Sequence, residues 1–271
     1  MKLIYKKLIR PLLFQLDAEH AHDLACRFLK VTEKSILARK CISLASSAKS
    51  QSCNVFGLSF PNRLGLAAGM DKNGAFPKTF SSLGFGHVEI GTITPKAQPG
   101  NPKPRLFRYP KYNALVNRMG FNNDGADAVV SRIAKFYPKG KRSTPLGINI
   151  GKGKDTPIEQ AHNDYISCLN KCYNQADYIT VNISSPNTPN LRELHGKSVI
   201  TPFLENLIKA SQTCAKKHNI EMVPLLLKIS PDENYKSLEH IVCSARDIGF
   251  SGVIATNTSV SRLKASNLET F

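Results

Sequence analysis

Six short apolar runs, at 63–67, 87–91, 145–150, 177–183, 223–229 and 251–256, punctuate the chain. They are apolar at successive positions rather than alternate ones, so each is expected to be a strand covered on both faces. Between them the apolar residues fall at helical spacing. Pro157–Tyr173 places Ile158, Ala161, Tyr165, Leu169 and Tyr173 on one face, and Phe203, Leu204, Leu207 and Ile208 follow the same period. So do Leu238, Ile241, Val242, Ala245 and Ile248. Buried strands alternating with helices predict a parallel sheet. Ahead of them, Cys53–Phe56 and Leu58–Asn62 flank Gly57 and predict a short hairpin.

The strand ends decide between an open sheet and a ring. The runs finish on small or polar residues: Gly69-Met70-Asp71-Lys72, Thr92, Asn149, Asn182, Lys228 and Thr256-Asn257-Thr258. An open sheet gathers its ligand groups at one switch point. Polar groups at six successive strand ends meet only if the strands curl into a ring, which is the (β/α)8 TIM barrel with its chemistry at the C-terminal rim. No G-x-G-x-x-G and no Walker sequence is present to favour the open sheet. A barrel of roughly 250 residues starting near residue 62 would run past 310. The sequence ends at Phe271, so about six of the eight βα units are expected within it.

The first 45 residues follow a different pattern. In MKLIYKKLIRPLLFQL, the residues Ile4, Tyr5, Leu8, Ile9, Leu12, Leu13 and Leu16 cover one broad helical face, with Lys2, Lys6, Lys7 and Arg10 at its edge. The apolar run is too short and too charged to span a bilayer, and no small-residue cleavage site follows it. Asp17 is placed to cap a second helix with Glu19 in its first turn. That helix carries Ala21, Leu24, Ala25, Phe28, Leu29 and Ile36 on its apolar side. Two readings fit: a helical hairpin packed on its own domain, or a pair of helices lying in a membrane interface. LASSAKSQSCN, around 44–54, reads as the linker to the barrel.

Composition narrows the partners. Among 271 residues, 37 are basic and 20 acidic, a net charge of +17, which favours an anionic partner. The basic residues are spread along the chain, with no tryptophan and no aromatic–basic repeat, so nucleic acid is not expected. The 7 cysteines form no C-x-x-C pair, which fits reduced thiols in a cytosol. Cys168 and Cys172 share a helix face and read as core. His20 and His22 point to different faces, and no metal is expected.

The candidate chemistry lies at the strand ends. In VNISSPNTPNLREL, at 181–194, an apolar strand runs into Asn182, Ser184, Ser185 and Pro186, where neither helix nor strand can continue. Taken alone, Ser185 is a turn former. Lys228 ends the apolar run LLLKIS with no acid beside it, so it either snorkels to water or meets an anionic ligand or cofactor ring. Lys72 follows Gly69, where the backbone can approach a ligand closely. The excursion 93–121, closed by Asn117-Arg118-Met119-Gly120-Phe121, reads as a surface loop or a lid without structure of its own. A rim of amides and lysines without histidine or paired carboxylates suits a flat polar ring and does not suit hydrolysis.

GLAAGMDKNG, EIGTITPKAQPGNPKPRLFR, NRMGFNN, GINIGKGKDTP, NISSPNTPNLR, LLLKISPD and VIATNT together resemble the class 2, membrane-associated dihydroorotate dehydrogenases, in order and over essentially the whole chain. Class 1 relatives carry cysteine where Ser185 stands. The resemblance implies oxidation of dihydroorotate to orotate on FMN, in pyrimidine biosynthesis, with electrons passed to a membrane quinone. It implies FMN contacts at Ala68, Gly69, Thr92, Asn149, Asn182, Lys228 and Thr256. Substrate contacts are implied at Lys72, Asn117, Arg118, Met119, Gly120, Phe121, Asn182, Asn187, Asn257 and Thr258. Ser185 matches the catalytic base, with Thr188 and Phe121 as proton relay and shield from water.

By the same resemblance, residues 1–45 form a helical domain for quinone access and 46–271 an FMN-binding barrel. The protein would sit peripherally on the cytoplasmic face of the inner membrane. The units that hold the FMN phosphate in this family are the last two, which would put them beyond Phe271. Two other readings remain at this level. A tRNA-dihydrouridine synthase is also an FMN barrel but would carry a rim cysteine where Ser185 stands. A non-catalytic remnant would not retain FMN.

Overall fold

The computed structural model describes residues 3, 5–46, 51–188 and 191–260. Lys2 and Ile4 of the N-terminal face, and 47–50 of the expected linker, lie outside the described residues.

The antiparallel hairpin of β1 (Cys53–Val55) and β2 (Leu58–Phe60) forms as expected around Gly57. The six apolar runs form one parallel sheet: β3 (Gly65–Leu66), β4 (His87–Ile93), β7 (Leu146–Ile150), β8 (Tyr178–Asn182), β9 (Leu225–Lys228) and β10 (Gly252–Ile254). Their order is β10-β9-β8-β7-β4-β3, a curled part of a TIM barrel. In-register pairing aligns Asn149 with Gly91, and Asn182 with Lys228. Each strand therefore delivers its last polar residue to the same rim.

Helices cover the sheet: α4 (Pro77–Ser82), α5 (Ala126–Phe136), α6 (Ala161–Cys172), α7 (Lys197–His218) and α8 (Tyr235–Ile248). Their ends follow local chemistry. Asn234 accepts a hydrogen bond from the Ser237 amide at 3.0 Å to start α8. Gly249, at φ 105°, ends that helix in the left-handed conformation glycine favours. Val88, Ile90, Ile148, Ile179 and Val181 join Ile133, Leu169, Leu204 and Ile241 in one continuous core, with Cys168 and Cys172 inside it. Burying each large apolar side chain contributes about 1.5–3 kcal/mol.

The excursion 93–121 differs from the expected structureless loop. It folds into an antiparallel hairpin of β5 (Leu106–Tyr109) and β6 (Ala114–Asn117). The turn is Pro110–Tyr112 with Asn113 at φ 48°. Gln98 and Asn123 bridge its base.

At the N-terminus, a π-helical turn (Tyr5–Ile9) leads into α1 (Arg10–Gln15), then α2 (Ala18–Lys34) and α3 (Ile36–Ser46). Asp17 caps α2 as expected, accepting from the amides of Glu19 (2.9 Å) and His20 (3.2 Å). Of the apolar side of α2, Leu29 packs against the barrel core together with Cys26, and polar contacts supply the bonded docking. Glu19 accepts from Arg105 Nε and Nη2 at 3.0 and 2.9 Å. Glu33 accepts from the amides of Lys78 and Thr79 and from the Thr79 hydroxyl, capping α4. Leu24, Phe28 and Ile36 remain exposed. Arg108 reaches back to the carbonyls of Leu13 and Leu16 and lies 4.5 Å from the centre of the Phe14 ring.

Candidate functional site

The barrel places Thr92, Asn149, Asn182 and Lys228 side by side at the rim, all buried. Thr92 Oγ1 donates to Asn149 Oδ1 at 2.6 Å, and Asn182 Nδ2 donates to Thr92 Oγ1 at 3.0 Å. Asn182 Oδ1 accepts from the Ser184 amide and hydroxyl. Asn257 Nδ2 donates to Ser184 Oγ at 3.1 Å, which joins the segment after β10 to the network. Tyr165, fully buried in α6, donates to the Asn182 carbonyl at 2.7 Å and fixes the end of β8.

Lys228 closes β9 and faces a cavity of 620 Å³ whose wall also includes Ala67, Glu89, Tyr178 and Leu226. Its ammonium has no hydrogen bond or ion pair among the described residues. Glu89 lines the same wall but is bonded to Asn149, Thr180 and Tyr178 and makes no ion pair with Lys228.

Gly69 has φ 111° and open space where a Cβ would project. Lys72 Nζ donates to the Gly69 carbonyl at 2.7 Å. Burial holds the Lys72 ammonium below the ordinary lysine range, and the nearby Arg105 adds to this. Beside it, burial raises the Asp71 carboxyl to about 6, against the amides of Ala75 and Phe76 that bond to it. That carboxylate therefore serves the loop rather than the rim.

Ser185 is 4% exposed, and its Oγ accepts from the Asn187 amide at 3.2 Å. Thr188 is buried nearby in sequence and Asn187 is half-buried. Phe121, at φ 53°, lies against Gly151, where an added Cβ would sit 3.1 Å from its ring and 2.7 Å from the Thr92 methyl. Ala68 and Asn117 are half-buried, whereas Thr256 and Thr258 are exposed. Arg118 does not join the rim through its side chain: the guanidinium donates to the Pro104 carbonyl and lies over Phe107. The carbonyls of Arg118 and Gly120 accept from Asn101 and Gln98, so this segment is held by its backbone.

Three groups of consequence were not singled out from sequence. Glu89 is 3% exposed inside the barrel, and a charge within the apolar run HVEIGTI was its signal. Gln98 bonds to the carbonyls of Gly120 and Phe121 and accepts from the Lys154 amide, tying two rim loops together. His195 lies 2.7 Å from Glu233 and 2.8 Å from the Ile183 carbonyl, behind the serine loop. The last two arise from residues far apart in the chain and leave no local signal.

Amides, hydroxyls and two lysines at the C-terminal rim of a β/α barrel make up a site suited to a flat polar ring. The family model described as dihydroorotate dehydrogenase matches residues 50–270. A dihydroorotate dehydrogenase (quinone) of Janthinobacterium sp. (strain Marseille) is 47% identical over 99% of this chain and 76% of its own length. One from Azoarcus sp. (strain BH72) is 48% identical, over 96% of this chain and 73% of that protein. Among solved structures, Eimeria tenella DHODH in complex with ferulenol is similar with a TM-score of 0.78 and 33% identity, over 93% of this chain and 70% of that one. The chain belongs to the dihydroorotate dehydrogenase family.

Proposed function

We propose that this protein oxidises dihydroorotate to orotate, with FMN as the hydride acceptor and a membrane quinone as the final electron acceptor. The observation that carries this reading is the rim itself: buried Thr92, Asn149, Asn182 and Lys228, whose ammonium has no partner among the described residues, with Ser185 buried in the loop after β8. The relatives' printed name states the same activity and supports neither a tRNA-modifying enzyme nor a non-catalytic remnant.

The residues fit FMN. Gly69 offers an open, side-chain-free approach, and Lys228 offers a cation with no protein partner among the described residues. Ala68, Gly69, Thr92, Asn149, Asn182, Lys228 and Thr256 would hold the cofactor. Bound FMN supplies the acceptor for the hydride that leaves dihydroorotate.

Ser185 takes the proton from the carbon beside the substrate carbonyl. A serine is a weak base, so it passes its own proton onward as it accepts one, with Thr188 as the next group. Phe121 shields the transfer from bulk water. Lys72 binds the substrate carboxylate through a charge-assisted bond. Asn117, Asn182, Asn187, Asn257 and Thr258, with the backbone of Arg118, Met119, Gly120 and Phe121, orient the pyrimidine ring. Their amide donors stabilise the enolate-like charge as it develops.

Residues 1–45 form the quinone-access unit, and 46–271 the FMN barrel. Supporting this, Leu8 and Leu12 are exposed close to Lys6, Lys7 and Arg10 in the sequence, and Leu24, Phe28 and Leu37 are exposed on the helices that follow, the make-up of an interfacial helix pair. No helix of the described residues is long and apolar enough to cross a membrane. The pair instead adsorbs to the cytoplasmic face of the inner membrane.

The test of the reading is Ser185→Ala. Reduction of bound FMN by dihydroorotate is expected to slow by roughly 10²–10⁴ in single turnover while FMN stays bound, because only proton removal is lost. An undiminished rate removes Ser185 from the mechanism.

A further inference from the structure

Glu89 sits inside the barrel one layer below the rim, 3% exposed. Its Oε1 accepts from Asn149 Nδ2 at 2.8 Å. Its Oε2 accepts from Thr180 Oγ1 at 2.9 Å and from the Tyr178 hydroxyl at 3.2 Å. Gly147 makes room for this: a Cβ there would lie 2.1 Å from the Tyr178 ring, which crosses it to reach Glu89.

A carboxylate can only accept. Asn149 must therefore turn its NH2 toward Glu89, which leaves its Oδ1 facing Thr92 at 2.6 Å. Thr92 has one hydroxyl proton and must give it to that oxygen. Its lone pair then faces Asn182, 3.0 Å away, so Asn182 must present its own NH2. Asn182 Oδ1 is left to accept from the Ser184 amide and hydroxyl. With its proton used, Ser184 Oγ accepts from Asn257 Nδ2. Each link has one possible direction: Glu89 sets it at Asn149, while the backbone amides of Ser184 and Thr258, which can only donate, set it at Asn182 and Asn257.

We propose that Glu89 is a positioning residue that fixes the orientation of the Asn149 amide and so completes the hydrogen-bond polarity of the rim, whose other end is held by the backbone amides at Asn182 and Asn257. With this polarity, Asn149, Asn182 and Asn257 each use one N–H within the network and keep the other for a ligand. The rim thus presents a row of donors, suited to the carbonyl oxygens of a flavin and of a pyrimidine ring. Without a fixed acceptor at position 89, the Asn149 amide can flip, and its NH2 and that of Asn182 would then both meet the Thr92 hydroxyl, which loses its acceptor. The inference rests on the flavin and dihydroorotate reading above.

The experiment compares Glu89→Gln, Glu89→Gln with Asn149→Asp, and Thr92→Val in the whole protein. FMN affinity is read by quenching of free FMN fluorescence, and orotate affinity by the shift of the flavin visible spectrum. Side-chain amide resonances of Asn149 in the flavin-free protein supply a readout independent of turnover, and melting temperature reports folding. Glu89→Gln is expected to split or broaden those resonances and to weaken both ligands about tenfold or more, the loss expected from one misdirected buried hydrogen bond. The double variant moves the acceptor-only group one link along. The amide introduced on β4 then donates to the carboxylate introduced on β7, and Thr92 again meets a fixed acceptor and donates as before. Orotate affinity is expected to return to within about threefold of the parent, while FMN recovers less because the Asn149 N–H is gone.

Thr92→Val cuts the chain above Glu89 and is expected to weaken orotate as Glu89→Gln does, which keeps the test valid if Glu89→Gln does not fold. Unchanged affinities in Glu89→Gln, or in Thr92→Val where Glu89→Gln does not fold, overturn the inference. So does a double variant no better than the single one. A parent protein that binds neither FMN nor orotate overturns the functional reading instead.

Discussion

The N-terminal helices and the barrel are built from similarly amphipathic segments, yet they are held by opposite means. Around the barrel, the apolar faces of α5 to α8 meet the strands, and Ile133, Leu169, Leu204 and Ile241 are at most 1% exposed. In α2 and α3, Phe28 is 65% and Leu37 73% exposed, and attachment runs through Glu19, Thr32 and Glu33. An amphipathic pattern therefore states that a face exists but not what covers it. In the barrel it is the sheet. In the helix pair the bonded contacts are polar and only part of the apolar side, with Cys26 and Leu29, meets the core, which leaves Phe28 and Leu37 exposed.

The same contrast appears in the buried acids. Burial pushes Glu19 up, but hydrogen bonds from Arg105 and Lys103 outweigh it and hold the carboxyl below its usual 4.5. Asp71 has no such cation bonded to it, and burial raises it to about 6. Glu19 therefore stabilises above its usual range, and this is lost as pH falls through its lowered value. Asp71 has the opposite sign. The folded state keeps its proton when the unfolded state has lost it, so its contribution falls as pH rises from about 4 to 6.

The sharpest way to break the comparison is Arg105→Ala. Arg105 is 8% exposed, and its loss leaves the buried Glu19 carboxylate with only the exposed Lys103, at a cost of about 3 kcal/mol. Urea unfolding should show that loss, and limited proteolysis should show α2 released from the barrel. An unchanged midpoint would mean that the polar hook does not hold the helix.

Ile148→Ala, in the centre of β7, should cost about 2–5 kcal/mol through the cavity it leaves, while Leu37→Ala should stay within about 0.5 kcal/mol. Similar losses at the two sites would erase the distinction between a packed core and an open face.

Between pH 4 and 6, Asp71 should lower barrel stability by on the order of 2 kcal/mol. Asp71→Asn should be less stable near neutrality, because one amide of Ala75 or Phe76 loses its acceptor, and should flatten that slope. Denaturant midpoints across the range check this, and an unaltered slope assigns the titration elsewhere.

The smallest effect on stability is expected from Phe28→Ser with Leu37→Ser, about 1 kcal/mol or less from helix propensity. Adsorption to anionic phospholipid vesicles should nevertheless fall by tenfold or more, since two apolar side chains no longer enter the interface. Full vesicle binding by this variant would contradict the interfacial role of the exposed face.

Much of the barrel was legible along the chain, because a buried strand or an amphipathic helix is written in the spacing of near neighbours. The six runs, the Gly57 hairpin, the Asp17 cap and the polar strand ends are all local patterns, and each appears where its residues place it. The β5–β6 hairpin was hidden, because RLFRYPKYNALVN has only weak alternation and its turn depends on Asn113 adopting φ 48°. Tertiary structure alone decided the rest. Glu19 meets Arg105 across 86 positions, and Glu89 reaches Thr180 across 91. Such pairs are set by strand register and by how helices seat on the sheet, not by neighbours in sequence. The direction of the rim's hydrogen bonds belongs here too, since a lone asparagine has no preferred orientation until a fixed acceptor stands beside it.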